Sequence, residues 1–142
     1  MSFESIYRIA GSAMSAQTVR LNTVASNLAN ADSAADSPDR VYQARKPVFA
    51  AVYNNESLNA GTNFVGARVQ LLDVVSSGRE PQRRYEPGNP QADRDGYVYY
   101  PDINVIEEMT DMMSASRSFE TSVEVLNRVK SMQQGLLRLG ES

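Results

Sequence analysis

From Phe3 onward, the residues spaced alternately four and three apart are Phe3, Tyr7, Ala10, Met14, Gln17, Leu21, Val24, Leu28 and Ala31, and only Gln17 is polar. The alternation returns near the other end through Val105, Met109, Met112, Ser116, Phe119, Val123, Leu126, Lys130, Gln133 and Leu137. A 4-3 alternation held over about four heptads marks a coiled-coil seam rather than a short globular helix. Both ends of the chain are thereby committed to long helices that need an apolar partner. Ile6, Ala13 and Ala25 widen the first stripe, and Ile106, Met113, Val129, Met132 and Leu136 flank the second. Small seam residues invite close approach of a partner helix. Gly11 weakens the first helix by about 1 kcal/mol relative to alanine.

The second helix has clear boundaries. Pro101 precedes it, and Asn104 followed by Glu107 reads as an N-cap with a capping-box acceptor. Glu107, Glu108 and Asp111 crowd its first turns, Lys130 and Arg138 fall near its end, and Gly140 closes it, in keeping with the helix dipole. The first helix instead runs into LNTVASNLANADS, where small residues and two asparagines lead to Asp32-Ser33.

Between the helices the periodicity changes. SAADSPDR is a loop by composition. VYQARKPVFAAVY and ARVQLLDVVSSG are strand candidates, with Pro47 demoting the centre of the first to an edge or a break. Two turn clusters, Pro87-Gly88-Asn89-Pro90 and Arg94-Asp95-Gly96, precede the aromatic strand Tyr97 to Tyr100. The reading is an α+β chain. Residues 1–32 form an N-terminal assembly helix, 33–103 a small β-rich insert and 104–142 a C-terminal assembly helix. Each helix would extend roughly 45 Å, too far for so small an insert to cover. The helices can pair with each other, and the flanking apolar positions call for further helices from other copies or relatives.

Composition narrows the function. The net charge of −3 gives no footprint for nucleic acid or an anionic membrane surface, and Glu80 and Glu86 interrupt the one basic cluster, Arg79, Arg83 and Arg84. The chain has no cysteine and no histidine, which removes thiol nucleophiles, Cys/His zinc sites and the commonest general acid–base near neutral pH. Asp93, Asp95 and Gly96 fall at three places of a calcium loop. Gln91 and Asp102 at its first and twelfth places argue for an ordinary Asp-Gly turn. The acidic first turns of the second helix are dipole compensation, and the methionines at helical spacing are packing residues. No phosphate loop or nucleophile motif occurs, so neither an enzyme nor a cofactor is expected. The N-terminus has no Sec-type leader and no run reaches the roughly 18 apolar residues of a membrane span.

Ser26-Asn27-Leu28-Ala29-Asn30-Ala31-Asp32-Ser33, following an amphipathic helix, resembles the signature of the flagellar rod and hook protein family. IAGSAMSAQTVRLNTVASNLANADS at 9–33 and YEPGNPQADRDGYVYYPDINVIEEMTDMMSASRSFETSVEVLNRVKSM at 85–132 are similar to its proximal-rod branch, and 34–84 match weakly. The resemblance implies a structural subunit of the bacterial flagellar basal body that helps carry torque from the motor to the hook. It implies export through the flagellar type III apparatus without a signal peptide, and a place in the periplasmic rod. Its partners would be copies of itself, the rod subunits FlgB, FlgF and FlgG, the rod adaptor FliE and the export apparatus. The assembly interface would use Phe3, Tyr7, Met14, Leu21, Val24, Asn27, Leu28, Asn30, Met109, Met112, Phe119, Val123, Leu126 and Leu137. Asn27 and Asn30 either bond neighbouring backbone where the helix ends or end it as poor helix formers. The competing readings are a coiled-coil adaptor, an effector exported by a type III system and, third, an enzyme, which would need a pocket lined by convergent polar groups.

Overall fold

The computed structural model describes residues 3–53 and 67–140. The extreme ends of the two terminal segments (1–2 and 141–142) and residues 54–66 of the insert lie outside the described residues. The order is α1 (Phe3–Asn30), a 3-10 turn at Pro38–Arg40, β1 (Arg45–Tyr53), β2 (Ala67–Ser76), β3 (Gln82–Tyr85), β4 (Tyr97–Tyr100) and α2 (Val105–Gly140). This is the α+β arrangement of two long helices around a small β insert.

The helices pack on each other and run antiparallel. Asn27 of α1 meets Glu108 at the start of α2, and Tyr7 donates from its hydroxyl to Gln133 Oε1 at 3.2 Å near the other ends. On α1 the stripe read from the sequence turns inward. Ala10, Val24 and Ala31 are buried, and Phe3, Tyr7, Met14, Gln17, Leu21 and Leu28 are half-buried, whereas Ala25 is exposed. The side-chain oxygen of Gln17 is buried with no hydrogen-bond partner among the described residues.

On α2 the inward face is rotated from the seam read in the sequence. The buried and half-buried positions that follow a 4-3 spacing are Glu108, Met112, Ala115, Phe119, Ser122, Leu126, Val129 and Gln133. Met112, Phe119, Leu126 and Gln133 are shared with the sequence seam. The positions between them fall one residue earlier, so Met109 and Lys130 are exposed while Glu108 and Val129 are covered. Two causes act together: small Ala115 lets α1 approach closely, and the bond from Asn27 draws Glu108 inward. Apolarity alone favoured Met109 over a carboxylate. The N-cap is as read, since Asn104 Oδ1 accepts from Ile106 N at 3.1 Å and Glu107 N at 3.3 Å. The Glu107 carboxylate, expected to close a capping box, reaches Lys46 Nζ at 3.6 Å.

α1 has a second inward face, Ser12, Ala16, Arg20, Thr23 and Asn27, against the β1–β2 hairpin. Ser12 Oγ accepts from Val69 N at 3.1 Å, so one outward-facing amide of β2 is satisfied by the helix. The Arg20 guanidinium lies 5.6 Å from the Phe49 ring centre. β1 and β2 pair antiparallel with an irregularity between Val48 and Phe49, one residue past Pro47.

The β3–β4 pair is a separate two-stranded sheet, widened by a bridge from Ala35 to Tyr99. β3 (QRRY) was not foreseen, because two arginines do not read as a strand. Their side chains explain it: Arg83 lies 3.5 Å over the Tyr97 ring and Arg84 4.7 Å over the Tyr100 ring. Paired with an aromatic strand, each arginine lays its guanidinium over a ring while β3 itself stays exposed.

Candidate functional site

The second inward face of α1 ends at Asn27, beside the helix-pairing stripe at Val24 and Leu28, and Asn27 is 1 % exposed. Its amide makes four hydrogen bonds. Nδ2 donates to Arg45 O at 2.9 Å and to Glu108 Oε2 at 3.0 Å. Oδ1 accepts from Arg45 N at 2.9 Å and from the Tyr42 hydroxyl at 3.0 Å. The backbone of Arg45 fixes the orientation of the amide, since its N–H needs an acceptor and its carbonyl a donor. Tyr42 has one proton, given to Asn27, so at 3.0 Å Ser26 Oγ must be the donor to Tyr42. Asparagine is suited to this place because its planar amide has both two donors and an acceptor with two lone pairs. A serine or an aspartate cannot supply that set.

Neither sequence reading of the asparagines describes Asn27. Its bonds go to backbone 18 residues away and to a carboxylate 81 residues away, beyond local termination. Asn30 does act locally: Nδ2 donates to Ser26 O at 2.8 Å, and Ser33 Oγ donates to Asn30 O at 2.7 Å. No local sequence signal marks the node, since Asn27 lies off the apolar stripe and its pairing with Glu108 81 residues away exists only in the fold.

The other site residues divide by exposure. Val24 is buried within the chain, while Phe3, Tyr7, Met14, Leu21, Leu28, Asn30, Met112, Phe119, Val123 and Leu126 are half-buried along the helix pair. Met109 and Leu137 are exposed, Leu137 at 70 %. They sit in two apolar patches on α2, one formed by Ile106, Met109 and Met113 and the other by Met132, Leu136 and Leu137. An open apolar cleft of about 560 Å³ lies between Phe3 and the second patch, lined by Lys130, Gln133, Gln134, Leu136 and Leu137.

The aspartates of the calcium-like segment build a turn. Asp93 Oδ1 accepts from Asp95 N at 2.9 Å and Tyr97 N at 2.8 Å, and Gly96 takes φ +83°, a conformation that favours glycine. The Tyr97 amide, aided by the Asp95 amide and the Tyr99 hydroxyl, holds the Asp93 carboxyl below its usual range against the opposing effect of burial. Across the same turn, desolvation and then the hydrogen bond to Glu86 raise the Tyr100 hydroxyl. A depressed carboxylate stabilises the fold above its ordinary pKa and loses that contribution as pH falls through the lowered value. Asn supports the same turn. Changing Asp93 and Asp95 together to Asn should therefore leave the melting temperature at pH 7 little changed and flatten its fall toward acid pH below about pH 4. Thermal melts from pH 3 to 7 check this, and a loss of motility at normal protein level would instead revive a metal or catalytic role. Among the described residues no three acidic side chains cluster closely enough to hold a metal ion. No described helix is long and apolar enough to cross a membrane.

Comparison with known proteins bears on these surfaces. The family described as Flagella basal body rod protein matches residues 8–34, and the family described as Flagellar basal body rod FlgEFG protein C-terminal matches 94–139. The two matches cover most of α1 with the asparagine segment, and β4 with nearly all of α2. The chain is 45 % identical to the flagellar basal-body rod protein FlgC of Escherichia coli O6:H1, over 99 % of this chain and all of that one. It is 43 % identical to the FlgC of Salmonella typhimurium over the same shares. The FlgC of Borreliella burgdorferi is 28 % identical over 98 % of both chains.

Proposed function

The chain belongs to the FlgC family of flagellar basal-body rod proteins, structural components of the basal body, and from that premise we propose how it is built into the rod. The α1–α2 pair forms the wall element. The exposed apolar patches of α2, around Met109 and Leu137, together with Phe3 at the mouth of the cleft, meet helices of neighbouring subunits. Residues 1–32 and 104–142 are thus the assembly segments, framing an insert at 33–103. Its neighbours are copies of itself and the rod subunits FlgB, FlgF and FlgG, with FliE as adaptor. It reaches the periplasmic rod through the flagellar export apparatus, and there it passes motor torque toward the hook.

One observation supports this reading above the others. Large apolar side chains are left exposed on α2, while the buried apolar residues of the described chain, apart from Pro101, are alanines and valines. Such a core is thin, and apolar burial at roughly 25 cal/mol per Å² is the reserve that neighbouring subunits add. Many modest contacts spread along a helix also suit a part under torsional load, since no single contact carries the shear.

The test separates folding from assembly. Met109→Glu combined with Met113→Glu changes only exposed positions, so the stability of the isolated chain should move by no more than about 0.5 kcal/mol. In a strain lacking the gene, the same double variant should leave no completed rods and no swimming halo. Normal motility with normal protein level would sink the assignment of this face.

A further inference from the structure

We propose that the Asn27 amide is a coupling node that makes the docking of α2 and the seating of the β1–β2 hairpin one event. Glu108 of α2 holds the donor end of the amide, and the Tyr42 hydroxyl holds the acceptor end, with Arg45 at the mouth of the hairpin bonded to both. The group is planar and rigid, so a rotation that releases Glu108 also misaligns the bonds to Arg45 and Tyr42. Ser26 braces Tyr42 from the same helix, which leaves the ring no independent way to follow. A direct link between α2 and the hairpin is the Lys46–Glu107 ion pair, half-exposed at both ends and therefore weak. The centre of the node is buried, Asn27 being 1 % and Glu108 6 % exposed, so the bond between them is stronger than in water and the amide's bonds are costly to leave unmade. Order imposed on α2 is thereby passed through one side chain to the hairpin. The inference concerns contacts within one chain and stands whether or not the outer face of α2 meets other subunits.

A double-mutant cycle on the full chain tests it, with Tyr42→Phe and Glu108→Met, which act on opposite ends of the amide. Urea unfolding in a fixed concentration of sucrose, which favours the compact state, gives the unfolding constants. Coupling through Asn27 predicts a departure from additivity of about threefold or more in the unfolding constant. Amide exchange should agree: in Glu108→Met the amides of β1 should exchange about tenfold faster while those of β3–β4 stay at the parent rate. An additive cycle, or unchanged β1 exchange beside a loosened first turn of α2, overturns the proposal. Should Glu108→Met fail to fold, Glu108→Ala, which also removes the acceptor, takes its place under the same two criteria.

Discussion

Replacing Asn27 with leucine should lower the stability of the chain by about 3–5 kcal/mol, a large share of what a small domain possesses. Leucine fills much the same space, so the loss is not a cavity effect. It arises because the buried Glu108 carboxylate and the part-buried N–H and carbonyl of Arg45 are left without their partner. Unmade bonds of this kind cost about 1–3 kcal/mol each, and Tyr42 recovers part of its share from Ser26. Asn27→Asp is the sharper variant. It removes both donors and sets a carboxylate about 3 Å from Glu108, where like charges repel. It should be at least as damaging as leucine, and Glu108→Gln in the same chain should restore part of the loss. Urea unfolding of the four proteins decides this. A stability within 0.5 kcal/mol of the parent for both single variants would mean that the amide is not needed where it stands.

The same residue marks the limit of what the sequence made legible. The two long helices, the α2 N-cap at Asn104, strands β1, β2 and β4, and the turn at Asp93–Gly96 follow from local rules of periodicity, capping and turn chemistry. Those rules act over a few residues, and so does the reading of Asn27 as a helix terminator. Its partners lie in other elements, so its role depends on the tertiary arrangement. The phase of α2 was missed for a related reason. A count of apolar residues prefers Met109 to Glu108, but a carboxylate that finds an amide and an alanine that permits close approach outweigh that preference. β3 was missed because Arg83 and Arg84 gain their stabilisation from rings on the opposite strand. The family resemblance was carried by 9–33 and 85–132, and those stretches supply Asn27 and Glu108 of the node, β4 and most of the helix pair, while Tyr42, Arg45 and most of β3 lie outside them. The weakly matching stretch 34–84 holds the hairpin.

The rotated phase of α2 carries the other large expected effect. Ala115 is fully buried where α2 packs on α1, its one extensive partner among the described residues, and Ser118 three residues on lies exposed. Ala115→Glu should destabilise the chain by several kcal/mol, because a charge is driven between two helices with no partner to meet it and no room for its side chain. Ser118→Glu puts the same side chain on the same helix, so helix propensity is nearly matched, and its cost should stay within about 0.5 kcal/mol. The contrast is what identifies the inward face. If the seam ran through Met109, Ser116 and Val123 alone, Ala115 would sit toward its edge and Glu could turn outward at little cost. Melting temperatures measured side by side distinguish the cases, and equal melting of the two variants would return α2 to the phase read from its apolar residues. A fall confined to Ala115→Glu would also separate the two sides of the helix: one held by α1 within the chain, and the other, bearing Met109 and Met113, left for a neighbour.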